Sequence, residues 1–134
     1  MGQLRTVVVD DFEDFRRFLS SMLEQETECQ VVGEASDGLQ AVMLAEELQP
    51  DLVLLDIGLP MINGIEVARR IRKLSPNSKI LFVTQNCSRD FVQCAFRTGA
   101  AGYLLKSDAT DLPGAIEAVF EGGKFVSNRA LQQA

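Results

Sequence analysis

Five short runs of β-branched and other apolar residues recur along this chain, each followed by a longer segment whose apolar residues return with a helical period. The runs are Thr6 to Val9, Gln30 to Ala35, Leu52 to Leu55, Lys79 to Val83 and Gly102 to Leu105. Four of them are rich in consecutive apolar residues rather than alternating, and strands of that kind need cover on both faces. The repeat therefore predicts an α/β fold, a doubly wound (βα)5 unit with a five-stranded parallel sheet. Phe15, Leu19, Met22 and Leu23 form the apolar stripe of the first helix, and Leu39, Val42 and Met43 begin that of the second. Ile65, Ala68 and Ile71 mark a third. Phe91, Val92, Ala95 and Phe96 mark a fourth that stops near Gly99, and Leu112, Ala115, Ile116, Val119 and Phe120 mark the fifth. Helical spacing makes these stripes core rather than cofactor boxes. Asp37 or Ser36 is expected to cap the second helix and Ser88 the fourth. At 134 residues the chain holds one such domain and has no room for a second substantial core.

Several classes of chemistry are excluded by what is missing. The chain has no histidine, which removes His-based triads, Cys–His dyads and His-ligated zinc. Its three cysteines, Cys29, Cys87 and Cys94, form no CxxC and read as free thiols in a reducing compartment. Thirteen basic against nineteen acidic residues give a net charge of -6, a poor footprint for a phosphate backbone. Any action on DNA would need a part outside this segment. The N-terminus lacks the form of a signal peptide, and no apolar run approaches the roughly 20 residues that span a bilayer. A cytoplasmic protein with no membrane partner is the expectation. Asn86-Cys87-Ser88 matches a glycosylation acceptor that a cytoplasmic chain would not use. Gly122-Gly123-Lys124 lacks the rest of a P-loop, and the GxGxxG dinucleotide fingerprint is absent.

In an open parallel sheet the functional crevice lies beyond the carboxyl ends of the strands. Asp10 and Asp11 follow the first predicted strand, Asp56 the third, Thr84 the fourth and Lys106 the fifth. Three carboxylates brought together repel and raise at least one pKa unless a hard divalent cation sits among them. Mg²⁺ suits such a shallow acidic cup, because it takes one or two protein carboxylates and keeps waters and phosphate oxygens. A cation beside a carboxylate, a lysine and a hydroxyl makes a site for a phosphoryl group, with Asp56 as the nucleophile. Taken singly, Asp10 or Asp11 reads as a helix cap, Thr84 as a strand-end hydroxyl and Lys106 as a surface charge. Their joint placement on one sheet edge favours chemistry.

These residues carry a family resemblance. Asp10-Asp11 after three valines, Leu54-Leu55-Asp56-Ile57-Gly58-Leu59-Pro60 with Asn63-Gly64, Thr84, and Gly102-Tyr103-Leu104-Leu105-Lys106 resemble the receiver domain of two-component response regulators, a flavodoxin-like fold. The phrases Asp56 to Pro60 and Gly99 to Lys106 are similar to the NarL/FixJ type, whose regulators usually carry a LuxR-like helix-turn-helix domain after the receiver. The resemblance implies that Asp56 accepts a phosphoryl group from a phosphohistidine on a sensor histidine kinase. It implies that Asp11, Asp56 and the backbone carbonyl of Gly58 hold Mg²⁺, with Asp10 acting through a water. It implies that Lys106 contacts the phosphate, that Thr84 is the switch hydroxyl, and that Tyr103 is the coupled aromatic, buried when Thr84 has moved inward. The implied output is transcription regulation, with homodimerisation on phosphorylation and DNA contact only through a C-terminal domain. Such a chain is a signalling phosphoacceptor, not an enzyme beyond its own phosphorylation and dephosphorylation.

The resemblance covers residues 1–122 as a receiver domain, with 123–134 as the start of a linker, and the polar ending Asn128 to Ala134 favours truncation over a stand-alone receiver. Gln85 follows Thr84 where receivers usually place a small residue, so a gated site is one expectation. Ser107 follows Lys106 where many receivers have proline, which touches only the final loop. Gly58 and Asn86 offer no base to an attacking water, so loss of the phosphoryl group is expected to be slower than seconds. Two other functions compete. An aspartyl phosphohydrolase would need an acid two residues after its nucleophile, where Gly58 has none. A phosphate-independent interaction module would rest on Gln85 closing the site.

Overall fold

A computed structural model of the chain describes residues 3–127. The apolar runs form β1 (Leu4–Val9), β2 (Cys29–Ala35), β3 (Leu52–Leu55), β4 (Lys79–Thr84) and β5 (Gly102–Leu105). Between and after them lie α1 (Glu13–Glu26), α2 (Gly38–Leu48), α3 (Gly64–Leu74), α4 (Arg89–Arg97) and α5 (Leu112–Phe120), with a 3-10 turn over Lys106–Asp111 ahead of α5. All strand pairs are parallel, in the order β2-β1-β3-β4-β5. Successive strand residues point to opposite faces. Val7, Val9, Val53, Leu55, Ile80 and Phe82 therefore pack under α2, α3 and α4, while Val8, Leu52, Leu54, Leu81 and Val83 pack under α1 and α5. This is why the runs are apolar throughout.

The expected count of five strands is corrected to six. Phe125–Val126 forms β6, which pairs parallel with β5 and gives the full order β2-β1-β3-β4-β5-β6. Gly122 at φ +92 lets the chain turn back after α5. Ser127 N–H then donates to the Tyr103 carbonyl at 2.9 Å, and the buried Ser127 Oγ accepts from Leu105 N–H at 2.9 Å. A two-residue strand carries no periodicity, so nothing in the pattern marked it. Residues 128–134, the remainder of the expected linker, lie outside the described residues.

The stripe expected on α2 is also corrected. Val42 is half-buried against the core as expected, but Leu39 and Met43 are exposed, Met43 at 68%, and the helix meets the sheet chiefly through Ala41 and Ala45, both fully buried. Alanines bring the helix backbone close to the strands, and the larger apolar side chains Leu44 and Leu48 reach over Gly33 of β2. Phe91 on α4 is likewise exposed, while Val92 and Ala95 carry the contact. Asp37 caps α2 as expected, accepting from Gln40 N–H at 2.8 Å. Ser88 stands at the N-cap of α4 but its hydroxyl makes no capping bond, and its N–H instead donates to Asn86 Oδ1 at 2.8 Å.

Candidate functional site

The carboxyl ends of β1, β3, β4 and β5 open into a pocket of about 510 Å³ lined by Asp11, Phe12, Asp56, Ile57, Gly58, Thr84, Gln85, Asn86 and Lys106. Backbone pairing sets the acids in place. Asp10 N–H donates to the Ala35 carbonyl at 3.0 Å and Asp56 N–H to the Val9 carbonyl at 3.2 Å, so both residues continue the sheet ladder by one step. The far wall is fixed by Gly64, whose N–H donates to the Ile57 carbonyl at 2.7 Å. A Cβ at Gly64 would overlap the Asp56 carbonyl oxygen, so only glycine lets α3 start this close to the acid.

Asp10, Asp56 and Thr84 are buried and Asp11 is exposed at the mouth. Asp10, Asp11 and Asp56 each present a carboxylate oxygen within 4.8 Å of the others. Lys106 reaches between them. Its Nζ lies 2.8 Å from Asp10 Oδ2 and 3.1 Å from Asp56 Oδ2, the latter a hydrogen bond. The contact with Asp10 Oδ2 is a charge contact off the angle of a hydrogen bond, so that buried oxygen has no hydrogen-bond donor of its own. The other oxygens are served by backbone, Asp10 Oδ1 by Phe12 N–H at 2.9 Å and Asp56 Oδ1 by Ile57 N–H at 2.7 Å. Burial holds the Asp10 carboxyl above the ordinary carboxylate value, and the Lys106 ammonium and the Phe12 N–H offset this only in part. Burial alone would lower Lys106, but its contact with Asp10 and the charge of Asp56 outweigh that and hold it above its ordinary value.

A cluster of three carboxylates with one ammonium is still short of positive charge, and one buried oxygen lacks a donor. Both features fit a hard, oxygen-seeking divalent cation at this place. Gln85 lines the pocket but is exposed, and the space before Asp56 stays open beside it. Gly58 adds no side chain, and nothing lies within 4 Å of where its Cβ would stand.

Thr84 and Tyr103 are joined through one residue. Thr84 Oγ1 accepts a long bond from Asn86 N–H at 3.4 Å, and Tyr103 Oη donates to the Asn86 carbonyl at 2.5 Å. Tyr103 is fully buried beside Phe82, with ring centroids 6.2 Å apart. It is not at a sheet edge, because β6 covers that side. Burial, with the nearby Cys87 and Asp56, pushes its phenol well above the ordinary value.

The strand-end reading thus brings Asp11, Asp56, Thr84 and Lys106 into one pocket, with Asp10 buried beside it against Lys106. It missed Phe12, which is 60% exposed at the rim, and Phe15, read as core, whose ring lies 4.8 Å from Lys106 Nζ. The adjacency of Phe12 to the acid pair is a signal that was available. For Phe15 the helical stripe masked it.

Fold and site together define a parallel α/β domain with a cluster of acids and a lysine at the carboxyl ends of its strands. Residues 6–117 match the response regulator receiver domain, and the chain belongs to that family. It is 36% identical over 126 residues to the transcriptional regulatory protein DegU of Brevibacillus brevis, covering 93% of this chain and 53% of that protein. It is 38% identical over 120 residues to the transcriptional regulatory protein LiaR of Bacillus subtilis, covering 89% and 57%. Among solved structures, a LuxR-family two-component response regulator from Aurantimonas sp. SI85-9A1 superposes with a TM-score of 0.92 at 35% identity, covering 98% of this chain and 95% of that one. The receiver domain of the response regulator NarL from Mycobacterium tuberculosis gives 0.85 at 32%, covering 91% and 99%. The resemblance to the NarL/FixJ type is therefore upheld. The chain spans a little over half the length of DegU and LiaR. Among the described residues no helix is long and apolar enough to cross a membrane.

Proposed function

We propose that Asp56 is the phosphoacceptor and that its modification, dependent on Mg²⁺, switches the domain between two conformations. The observation that carries this reading is Lys106 Nζ bridging Asp10 and Asp56 at 2.8 and 3.1 Å, in a pocket open to a donor. An oxygen of Asp56 attacks the phosphorus of a phosphohistidine on a sensor kinase. The new P–O bond forms as the P–N bond breaks, and the electron pair leaves with the donor imidazole. Lys106 turns its ammonium from the Asp56 carboxylate to a phosphoryl oxygen. Asp11, Asp56 and the Gly58 carbonyl hold Mg²⁺, which when bound supplies positive charge to the phosphoryl oxygens. Asp10 acts through a water, in keeping with its burial and with its Oδ1 being taken by Phe12 N–H.

Thr84 is the hydroxyl that closes on the phosphoryl group, and Tyr103 follows it. Tyr103 already lies inward, tied to Thr84 through Asn86, so the phosphoryl group has only to favour one of two packings of this pair. Output by homodimerisation and by DNA contact through a separate C-terminal domain is the reading supported by the NarL/FixJ relatives, and a cytoplasmic location is part of that proposal. Receiver residues 1–122 followed by a linker fit the same plan.

Intact-mass spectrometry after incubation with acetyl phosphate tests this directly. One phosphoryl adduct is expected on the wild type with Mg²⁺, none on Asp56→Asn and none with chelator. The adduct should outlast seconds, since Gly58 and Asn86 supply no base. A folded wild type that takes no adduct would sink the reading and favour a phosphate-independent interaction module.

A further inference from the structure

The ring of Phe15 faces the one ammonium in the site. Lys106 Nζ lies 4.8 Å from the Phe15 centroid, within the range where a cation is attracted to the face of an aromatic ring. Phe15 is itself held, half-buried on the inner face of α1, against the core beneath α1 and α5 and against Phe18 at 5.8 Å between centroids. We propose that Phe15 is a positioning residue for phosphoryl transfer, its ring keeping the Lys106 ammonium in the pocket while the carboxylates that also hold it change partners. This rests on the reading of Asp56 as phosphoacceptor.

A lysine side chain has four rotatable bonds, and its ammonium serves a phosphoryl oxygen only if those bonds are held. Three groups hold it here: Asp10, Asp56 and Phe15. Two of the three take part in the chemistry. An Asp56 oxygen becomes an acyl phosphate oxygen, and Asp10 belongs to the acid cluster that fits a cation. The phenyl ring accepts no proton, ligates no metal and forms no ester, so it is the neighbour whose attraction for the ammonium is the same before and after transfer. It also walls Lys106 from water, leaving its side chain 12% exposed. A leucine at position 15 would fill most of the same volume and keep the helix stripe, but it has no π face to offer a cation.

The test uses the full chain as wild type, Phe15→Leu and Phe15→Tyr, each treated with acetyl phosphate and Mg²⁺, with the rate of the Asp56 adduct read by intact mass. Phe15→Leu is expected to slow the adduct by about three- to tenfold, and Phe15→Tyr, which keeps the ring face, is expected to restore the wild-type rate. A readout independent of activity is the NMR shift of the Lys106 ε-methylene protons. It should be displaced upfield by the ring in wild type and Phe15→Tyr and return to the ordinary lysine position in Phe15→Leu. Wild-type rate in Phe15→Leu, or an undisplaced ε-methylene in the wild type, overturns the proposal. Should Phe15→Leu fail to fold, the wild-type shift and the Phe15→Tyr rate still decide it, because loss of either contradicts it. No adduct on the wild type, with the shift present, overturns the phosphoacceptor reading and the transfer role while leaving the contact standing.

Discussion

Tyr103 is the single tyrosine of a chain without tryptophan, so tyrosinate absorbance reads it alone. A free phenol ionises near 10.0, and burial raises that of Tyr103, so the folded state keeps its proton at a pH where the unfolded chain has lost it. Stability is therefore full below about pH 10 and falls as the pH rises above it, by up to about 1.4 kcal/mol per pH unit. Lys106, whose ordinary value is 10.5 and whose folded value is raised, acts in the same sense. Urea midpoints followed from about pH 9 to about pH 11.5 should fall steeply for the wild type and less so for Tyr103→Phe. Equal slopes would mean that the buried phenol is not what titrates. At this scale the sequence was informative where a residue's place follows from chain order. Asp10, Asp56, Thr84 and Lys106 stand at strand ends, and parallel pairing brings such ends together. Phe15 and Asn86 were not readable in this way, because a cation over a ring and a carbonyl turned to a buried phenol depend on side-chain direction and loop path.

The helices separate what hydropathy can and cannot specify. On α1, α3 and α5 the expected apolar positions are largely the buried ones, with Leu19, Leu23, Ile71 and Val119 among them. On α2 the order inverts, with alanines inside and Met43 outside, because contact distance to the sheet decides which side chains fit and a stripe of large residues would hold the helix off. Two substitutions check this face. Met43→Gln should change the urea midpoint by the equivalent of less than about 0.5 kcal/mol, whereas Ala45→Leu should destabilise by roughly 1–3 kcal/mol through overpacking. The opposite ranking would restore the hydropathy reading. β6 escaped the sequence for a different reason. Two residues span a single repeat of the strand alternation, too little to show as a pattern, and what places them is the open edge of β5 together with the Ser127 hydroxyl.

Over the whole molecule, the acid cluster gives stability a dependence on ions. Anything that binds the folded state alone stabilises it by mass action, about 2.7 kcal/mol at a hundred times its Kd. Mg²⁺ is accordingly expected to raise Tm saturably, EDTA to reverse it, and Asp11→Asn to abolish most of the gain. A rise matched by NaCl of equal ionic strength would mean screening of the net charge of -6 and no site. The pairing of β6 has a mechanical reading as well. Tension applied to the chain beyond Ser127 arrives first at Ser127 N–H on the Tyr103 carbonyl and at Ser127 Oγ on Leu105 N–H, the backbone on either side of Leu104 in β5, the strand that leads into Lys106. Such a pull loads the strand that carries Tyr103 before any helix feels it, and any displacement of the Tyr103 backbone would in turn shift the anchor of the chain that follows Ser127.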